Sequence, residues 1–336
     1  MPFLAKRTIS NFLRSKCFRR LRLDLSPDNA AYRPERVGMP PRGTGRPGIA
    51  ALTAAGNEWE EAKVADLRAS FGAAAIVAPA GAARDIDLAT ALGQRTAQTL
   101  FITQGQYTIG NSFQNALGIQ NYATTLNLAY GQLRPDIIRI WPAHTGLQEV
   151  HPDGSVTAVA ATTDNRTPLS IVDIKLTAEA SACYQAEVTY YSMALAAWLI
   201  DNNLQTQYFV VPMAAVWPGS HDASHVAQLN TRLRATGALP TTQALLNAWD
   251  EDLEYIPFGV FASRIRRFFH SDLATVLNTA WDHLPWHVDN HCIGCDYLGY
   301  PWGQTASDPL HCFPIAKHQE AGVKAPLIAD IKSLTS

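Results

Sequence analysis

Hydrophobic and polar positions change rhythm several times along the chain. Between residues 8 and 25, Phe12, Leu13, Cys17 and Leu21 recur at helical spacing among Arg and Lys, with Ser10 as an N-cap, which predicts a short amphipathic helix carrying Cys17. Residues 26–55 are rich in Pro, Gly and Arg and read as an irregular loop. Trp59, Val64 and Leu67 mark a helix over 57–69 after Gly56, and an Ala-rich strand candidate follows at Ala73–Ala78. Over 86–140 come the short β-type runs TLFITQGQYTI, NYATTLNLAY and PDIIRIW, and then a hairpin around His151-Pro152-Asp153-Gly154. The strand TPLSIVDIKL, a long helix over roughly 180–202 and a strand over 207–217 give the middle of the chain a β-β-β-α-β order. Residues 224–283 read as mostly helical, and no internal repeat is present.

With 336 residues, 47% of them hydrophobic and 17% charged, the chain has a globular balance that excludes disorder and fibrous architectures. Its longest clean apolar stretch, Met193–Ile200, falls short of the roughly 20 residues of a membrane-spanning helix. The N-terminus has basic residues without an uninterrupted apolar segment, so the expectation is a cytoplasmic protein with no membrane association. Net charge is only −2, but residues 1–48 hold eleven Lys or Arg against three acids. A polyanion could dock there; a solvated helix face followed by a flexible loop is the other reading, and the one charge alone favours. Arg264, Arg266 and Arg267 interleave with Phe261, Phe268 and Phe269, which suits either a single-strand channel or a helix with an apolar core face.

Chemistry concentrates in two places. Asp136 lies in the strand-like RPDIIRI, and Asp173 and Lys175 lie in IVDIKLT. Residues two apart on a strand share a face, so Asp173 and Lys175 project together, with the Ile174 carbonyl accessible at an edge. Two carboxylates offer hard oxygen ligands for Mg²⁺ or Mn²⁺, and an ammonium beside them can orient water or offset charge on a phosphate, which points to phosphodiester hydrolysis. The second place is the thiols: Cys292 and Cys295 form a C-x-x-C, Cys312 follows, and Cys17 stands near the other end, a set better suited to metal or cluster ligation than to disulfides. Cys183 reads as a small buried hydrophobe.

Taken together, Pro135-Asp136, Asp173-Ile174-Lys175 and the elements around them resemble the PD-(D/E)xK nuclease superfamily, in particular its RecB-like branch with CRISPR adaptation nucleases and AddB-type nuclease domains. The resemblance implies an α/β fold with a restriction-endonuclease-like mixed central sheet flanked by helices. It implies a nuclease core over 56–217, a cysteine helix and basic loop over 1–55, and a helical, Cys-bearing region over 218–336, all integrated as one domain. Asp136, Asp173 and the Ile174 carbonyl would bind metal, and Lys175 would position the attacking water. An acid after Gly56 would complete the set: Glu60 by its spacing, with Glu58 and Glu61 as neighbours. The branch's Q-x-x-x-Y motif departs here, since Gln185 meets Thr189 at i+4 whereas Glu187 meets Tyr191, so Glu187 and Tyr191 are the matching pair. By the same resemblance Cys17, Cys292, Cys295 and Cys312 would hold a [4Fe–4S] cluster stapling the two ends; structural zinc, with His291 or His311 in reserve, is the alternative. The implied activity is a Mg²⁺- or Mn²⁺-dependent deoxyribonuclease acting on single strands or DNA ends, with a helicase or defence-system protein as partner. A non-catalytic DNA-binding or scaffold subunit is the rival expectation.

Overall fold

The structure is a computed structural model, and it describes residues 3–25, 48–125, 127–142, 146–160, 163–219, 224–280 and 283–285. The chain divides into two compact units, one gathering the segments up to Thr53, Asn121–Ala129 and Phe268 onward, the other Ala54–Gln120 and Tyr130–Arg267.

The first unit contains helices α1 (Lys6–Ser15) and α2 (Phe18–Leu25). The single helix expected over 8–25 breaks in two because Lys16 adopts a left-handed conformation (φ 51°) and its N–H returns to the Phe12 carbonyl at 2.7 Å. Cys17 therefore sits at the junction rather than on a helix face. Ala5, not Ser10, is the N-cap of α1; Ser10 is buried inside it and its hydroxyl donates to the Arg7 carbonyl at 3.2 Å. The run NYATTLNLAY, expected as β, is a strand only at its end, Ala129–Tyr130; its start lies in a helix over Gln120–Thr125, with Asn127 at φ 52° and the Leu128 N–H bonded back to the Ala123 carbonyl at 2.8 Å. That left-handed Asn supplies a helix stop that short-run periodicity does not reveal.

The second unit is α/β, with a mixed seven-stranded sheet flanked by helices. Helix α3 (Ile49–Phe71) enters it from Ala54 onward, and the strands are β1 (Ile76–Val77), β2 (Phe101–Thr103), β3 (Ile137–Ile140), β4 (Thr167–Lys175), β5 (Tyr208–Val210), β6 (Ala215–Pro218) and β7 (Glu254–Tyr255). Their order is β7-β6-β4-β3-β2-β1, with β5 also paired to β4. Strand β4 is the spine: Leu169–Ile174 are buried without interruption, as expected for a strand covered on both faces. It runs antiparallel to β3 and parallel to β5 and β6. The one strand expected over 207–217 is two, since Pro212 cannot donate to the ladder and the segment leaves β4 between Val211 and Ala214 before rejoining it.

Helix α4 (Ala182–Asp201) is apolar nearly all round and buried from Ala186 to Leu199, packing on β4, β5 and β6 on one side and on α7 (Phe258–Arg267) and the helix Asn111–Ala116 on the other. The opposite face of the sheet holds Phe101, Ile137, Val172, Ile174 and Trp217 against Leu67 of α3 and against α5 (His225–Ala235) and α6 (Thr242–Asp250), which contribute Val226 and Trp249. Lys63 helps to fix α3: only 3% exposed, its ammonium lies 4.5 Å from the Trp59 ring and 5.0 Å from the Trp217 ring. Helix α3 continues through Gly56 rather than starting after it. The hairpin expected at His151–Gly154 joins strands Gln148–Val150 and Val156–Ala158, with Val150 opposite Val156. In the 261–269 segment the Phe rings are buried while Arg264 and Arg267 are exposed, so the helix presents an apolar core face and not an interleaved stacking surface. Among the described residues no helix is long and apolar enough to cross a membrane.

Candidate functional site

Strand register brings the central carboxylates together. The β3–β4 ladder pairs Ile137 with Val172, and one step beyond that pair lie Asp136 and Asp173. Both are buried, and Asp136 Oδ2 accepts the Ile174 N–H at 2.7 Å, continuing the ladder with a side chain after the backbone pairing has ended. Asp173 and Lys175 share a face of β4 as their spacing requires, and the Lys175 ammonium forms an ion pair with Asp173 Oδ2. Strand β4 is not an edge, as the sequence led us to expect of Ile174, but an inner strand. The N–H and C=O of an extended residue point to the same side, so the Ile174 carbonyl faces the Asp136 side where β3 has stopped.

The next strand supplies Gln104. Thr103 pairs with Ile137, and the Gln104 N–H donates to the Asp136 carbonyl at 3.0 Å while its own carbonyl accepts the Ile86 N–H at 3.1 Å. Held at both backbone groups, Gln104 takes a left-handed conformation (φ 53°), and its side-chain Nε2 donates to Glu60 Oε1 on α3. Glu60 thereby joins the acidic group. Burial pushes the Asp136 carboxyl well above the usual range; the neighbouring Asp173 and then Glu60 push it the same way, and Lys175 opposes them.

Helix α4 closes the site from below with Glu187 and Tyr191, one turn apart and both buried. The Tyr191 hydroxyl donates to the Arg134 carbonyl at 3.4 Å, and the Tyr191 carbonyl accepts from the Tyr107 hydroxyl at 2.8 Å. Burial raises the Tyr191 phenol well above its ordinary value, and the charges of Asp173 and Glu187 add to this. A neutral phenol thus ties α4 to the chain that leads into Pro135-Asp136. Gln185 serves the helix start instead, donating to the Ala180 carbonyl at 3.1 Å, so Glu187 and Tyr191 are the pair next to the acidic group. Glu58 and Glu61 are exposed.

Asp136, Asp173, Lys175, Glu60, Glu187 and Tyr191 therefore converge. Gln104, Tyr107 and Arg134 were not singled out from the sequence; a polar residue at a strand end before Gly105, and the residue preceding Pro-Asp, were the available signals. The donor set is oxygen only: two adjacent carboxylates and one backbone carbonyl. Among the described residues no group of three or more His, Cys, Asp or Glu side chains is arranged to hold a metal ion. A carboxylate pair is nonetheless the protein share that Mg²⁺ typically takes, water and substrate phosphate oxygens filling the remaining positions. The surplus of buried negative charge around Asp136 fits a divalent cation for the same reason that it disfavours the ionised acid.

Of the cysteines, Cys17 sits between α1 and α2, its N–H 3.4 Å from Ser15 Oγ and its sulfur accepting the Arg20 N–H at 3.5 Å. Cys183, expected to be buried, is partly exposed in the first turn of α4. Cys292, Cys295 and Cys312 lie outside the described residues, as do His291 and His311. No protein-family model, no curated protein and no solved structure matches this chain.

Proposed function

We propose that the chain is a metal-dependent nuclease that hydrolyses phosphodiester bonds in DNA, with Asp136 and Asp173 as metal ligands, Lys175 as the residue that positions the attacking water, and Glu60 as the third acid. The observation that supports this most is the register-driven meeting of Asp136 with Asp173 beside the Lys175 ammonium and Glu60. A bound Mg²⁺ or Mn²⁺ would supply Lewis-acid polarisation of the phosphate and offset the charge developing on it. The protein's own part is positional. The Ile174 N–H fixes Asp136, the ion pair fixes Asp173 and Lys175 relative to each other, and Gln104 holds Glu60. Tyr191 and Tyr107 clamp the backbone that presents Asp136.

By the resemblance of its cysteine pattern to RecB-like nucleases, the same reading gives Cys17, Cys292, Cys295 and Cys312 to a [4Fe–4S] cluster, and single-stranded or end-containing DNA as substrate. The test is cleavage of labelled DNA by the full chain with Mg²⁺ or Mn²⁺. Asp173→Asn and Lys175→Ala should each lower the rate by about 10²–10³, the scale of deleting one electrostatic contact in a pre-organised site. Full activity in either variant would remove this site from the reaction.

A further inference from the structure

A groove of about 620 Å³ opens directly on Glu60 and Gln104. One wall is the α3 face that carries Glu60, Val64 and Arg68 at successive turns; the facing wall is the loop that follows β1 and ends at Arg84; Arg134 closes one side, two residues before Asp136. Three arginines from three separate segments thus line a single concavity, together with Glu60 and Glu61. Among the described residues neither Arg68 nor Arg84 has a carboxylate within salt-bridge distance, and Arg134 has only a long contact, 3.6 Å, with the half-exposed Asp85. Exposed charges at that separation contribute little to stability, so these arginines are not accounted for by folding.

We propose that this groove binds one nucleic-acid strand by its phosphates, with Arg68, Arg84 and Arg134 as the contacts that lead the strand to the Asp136–Asp173 pair. The identity of the ligand rests on the nuclease reading. The geometry adds where the strand runs and which residues hold it. A cavity of this volume lies within the range of about 300–1,000 Å³ that receives single drug-sized molecules, which suits a short stretch of one strand and not a duplex. Guanidiniums match phosphate oxygens in planar, bidentate geometry, so a groove edged by three of them is suited to a phosphodiester chain. The tether from the Tyr191 hydroxyl to the Arg134 carbonyl fixes the backbone that carries one of these contacts relative to the acids.

The experiment measures equilibrium binding of a fluorescent single-stranded DNA in chelator, where no cleavage occurs, across a salt series. For single strands each phosphate contact contributes about 0.7 to the slope of log affinity against log salt, so the Arg68→Ala/Arg84→Ala/Arg134→Ala variant should lose about 2 from that slope and at least about tenfold in affinity near 0.1 M salt. The Arg68→Ala/Arg84→Ala double variant, which leaves the Arg134–Asp85 contact in place, should lose about two thirds of that slope change. Unchanged affinity and slope in a folded triple variant would overturn the groove, as would a wild type without measurable affinity. Competition by polyglutamate as effective as unlabelled DNA at equal charge would overturn it too, by showing a surface for acidic protein. The two readings fail separately: arginine-dependent binding without metal-dependent cleavage leaves the groove and removes the nuclease, whereas cleavage with arginine-independent binding does the reverse.

Discussion

Asp136 concentrates the tension between stability and use at this site. Its carboxyl titrates well above the ordinary value near 4 because it is buried and because Asp173 and Glu60 lie close. Between that ordinary value and the raised one, the folded chain binds more protons than the unfolded chain, so without metal its stability falls as pH rises through the window. Asp136→Asn keeps an oxygen for the Ile174 N–H and removes the charge. In chelator, at a pH above the ordinary carboxylate range, it should therefore melt higher than the wild type, with a flatter pH profile and no nuclease activity. An equal or lower melting temperature would show that the acid is not under strain. Gln104 makes the complementary case. Gln104→Gly removes a left-handed non-glycine residue, worth about 1 kcal/mol, and one hydrogen bond of similar size, so stability should barely move. Losing the donor that holds Glu60 should still slow cleavage by about 10–100-fold, the range for groups that orient metal ligands. A fully active Gln104→Gly enzyme would leave Gln104 with a backbone role alone.

At the scale of elements, the hairpin between Gln148–Val150 and Val156–Ala158 docks by way of its turn. Gly154 has φ 77°, and a Cβ there would lie 2.8 Å from the Ala262 Cβ and 3.1 Å from the Met193 thioether. Gly154→Ala combines an unfavourable backbone conformation with overpacking between α4 and α7 and should cost about 2–3 kcal/mol in a denaturant melt, with cleavage per folded molecule unchanged. The turn itself was legible from His-Pro-Asp-Gly; its close approach to Ala262 was not, because the contact joins residues 108 positions apart. The same distinction runs through the fold. Strand β4 and helix α4 were legible because each is long and consistent in pattern, and so was the shared face of Asp173 and Lys175. The break at Lys16 and the helix at Gln120–Thr125 were not, since each depends on a left-handed residue, Lys16 or Asn127, that no glycine announces. Gln104 and Tyr107 escaped for a related reason. Their roles arise from register between β2 and β3 and from the approach of α4, which pairing across the sheet decides and local spacing does not.

At the scale of the whole molecule, the first unit joins segments from opposite ends of the sequence. Arg19, only 5% exposed, donates from Nε to the Leu284 carbonyl at 3.0 Å across 265 positions, and the Phe12 ring lies 5.5 Å from Phe268. At least one of the N-terminal charges is thus spent inside the unit rather than displayed to a polyanion. Cys17 lies at the start of α2 with its sulfur accepting the Arg20 N–H, the position of a helix N-cap. Cys17→Ser therefore separates two roles. Ser is among the preferred N-caps, so if Cys17 only caps α2 the variant should be as stable as the wild type or slightly more so. If Cys17, Cys292, Cys295 and Cys312 hold one centre, the substitution opens a closed loop of nearly the whole chain, a constraint worth on the order of 4–5 kcal/mol by loop-closure entropy. We expect the second result: Cys17→Ser prepared anaerobically should lose iron, sulfide and visible absorption and expose both chain ends to limited proteolysis, while Cys183→Ser should retain all three and resist as the wild type does. A Cys17→Ser protein that keeps its full iron content would leave Cys17 as a cap alone, and a wild type carrying only zinc would replace the cluster with a structural zinc site.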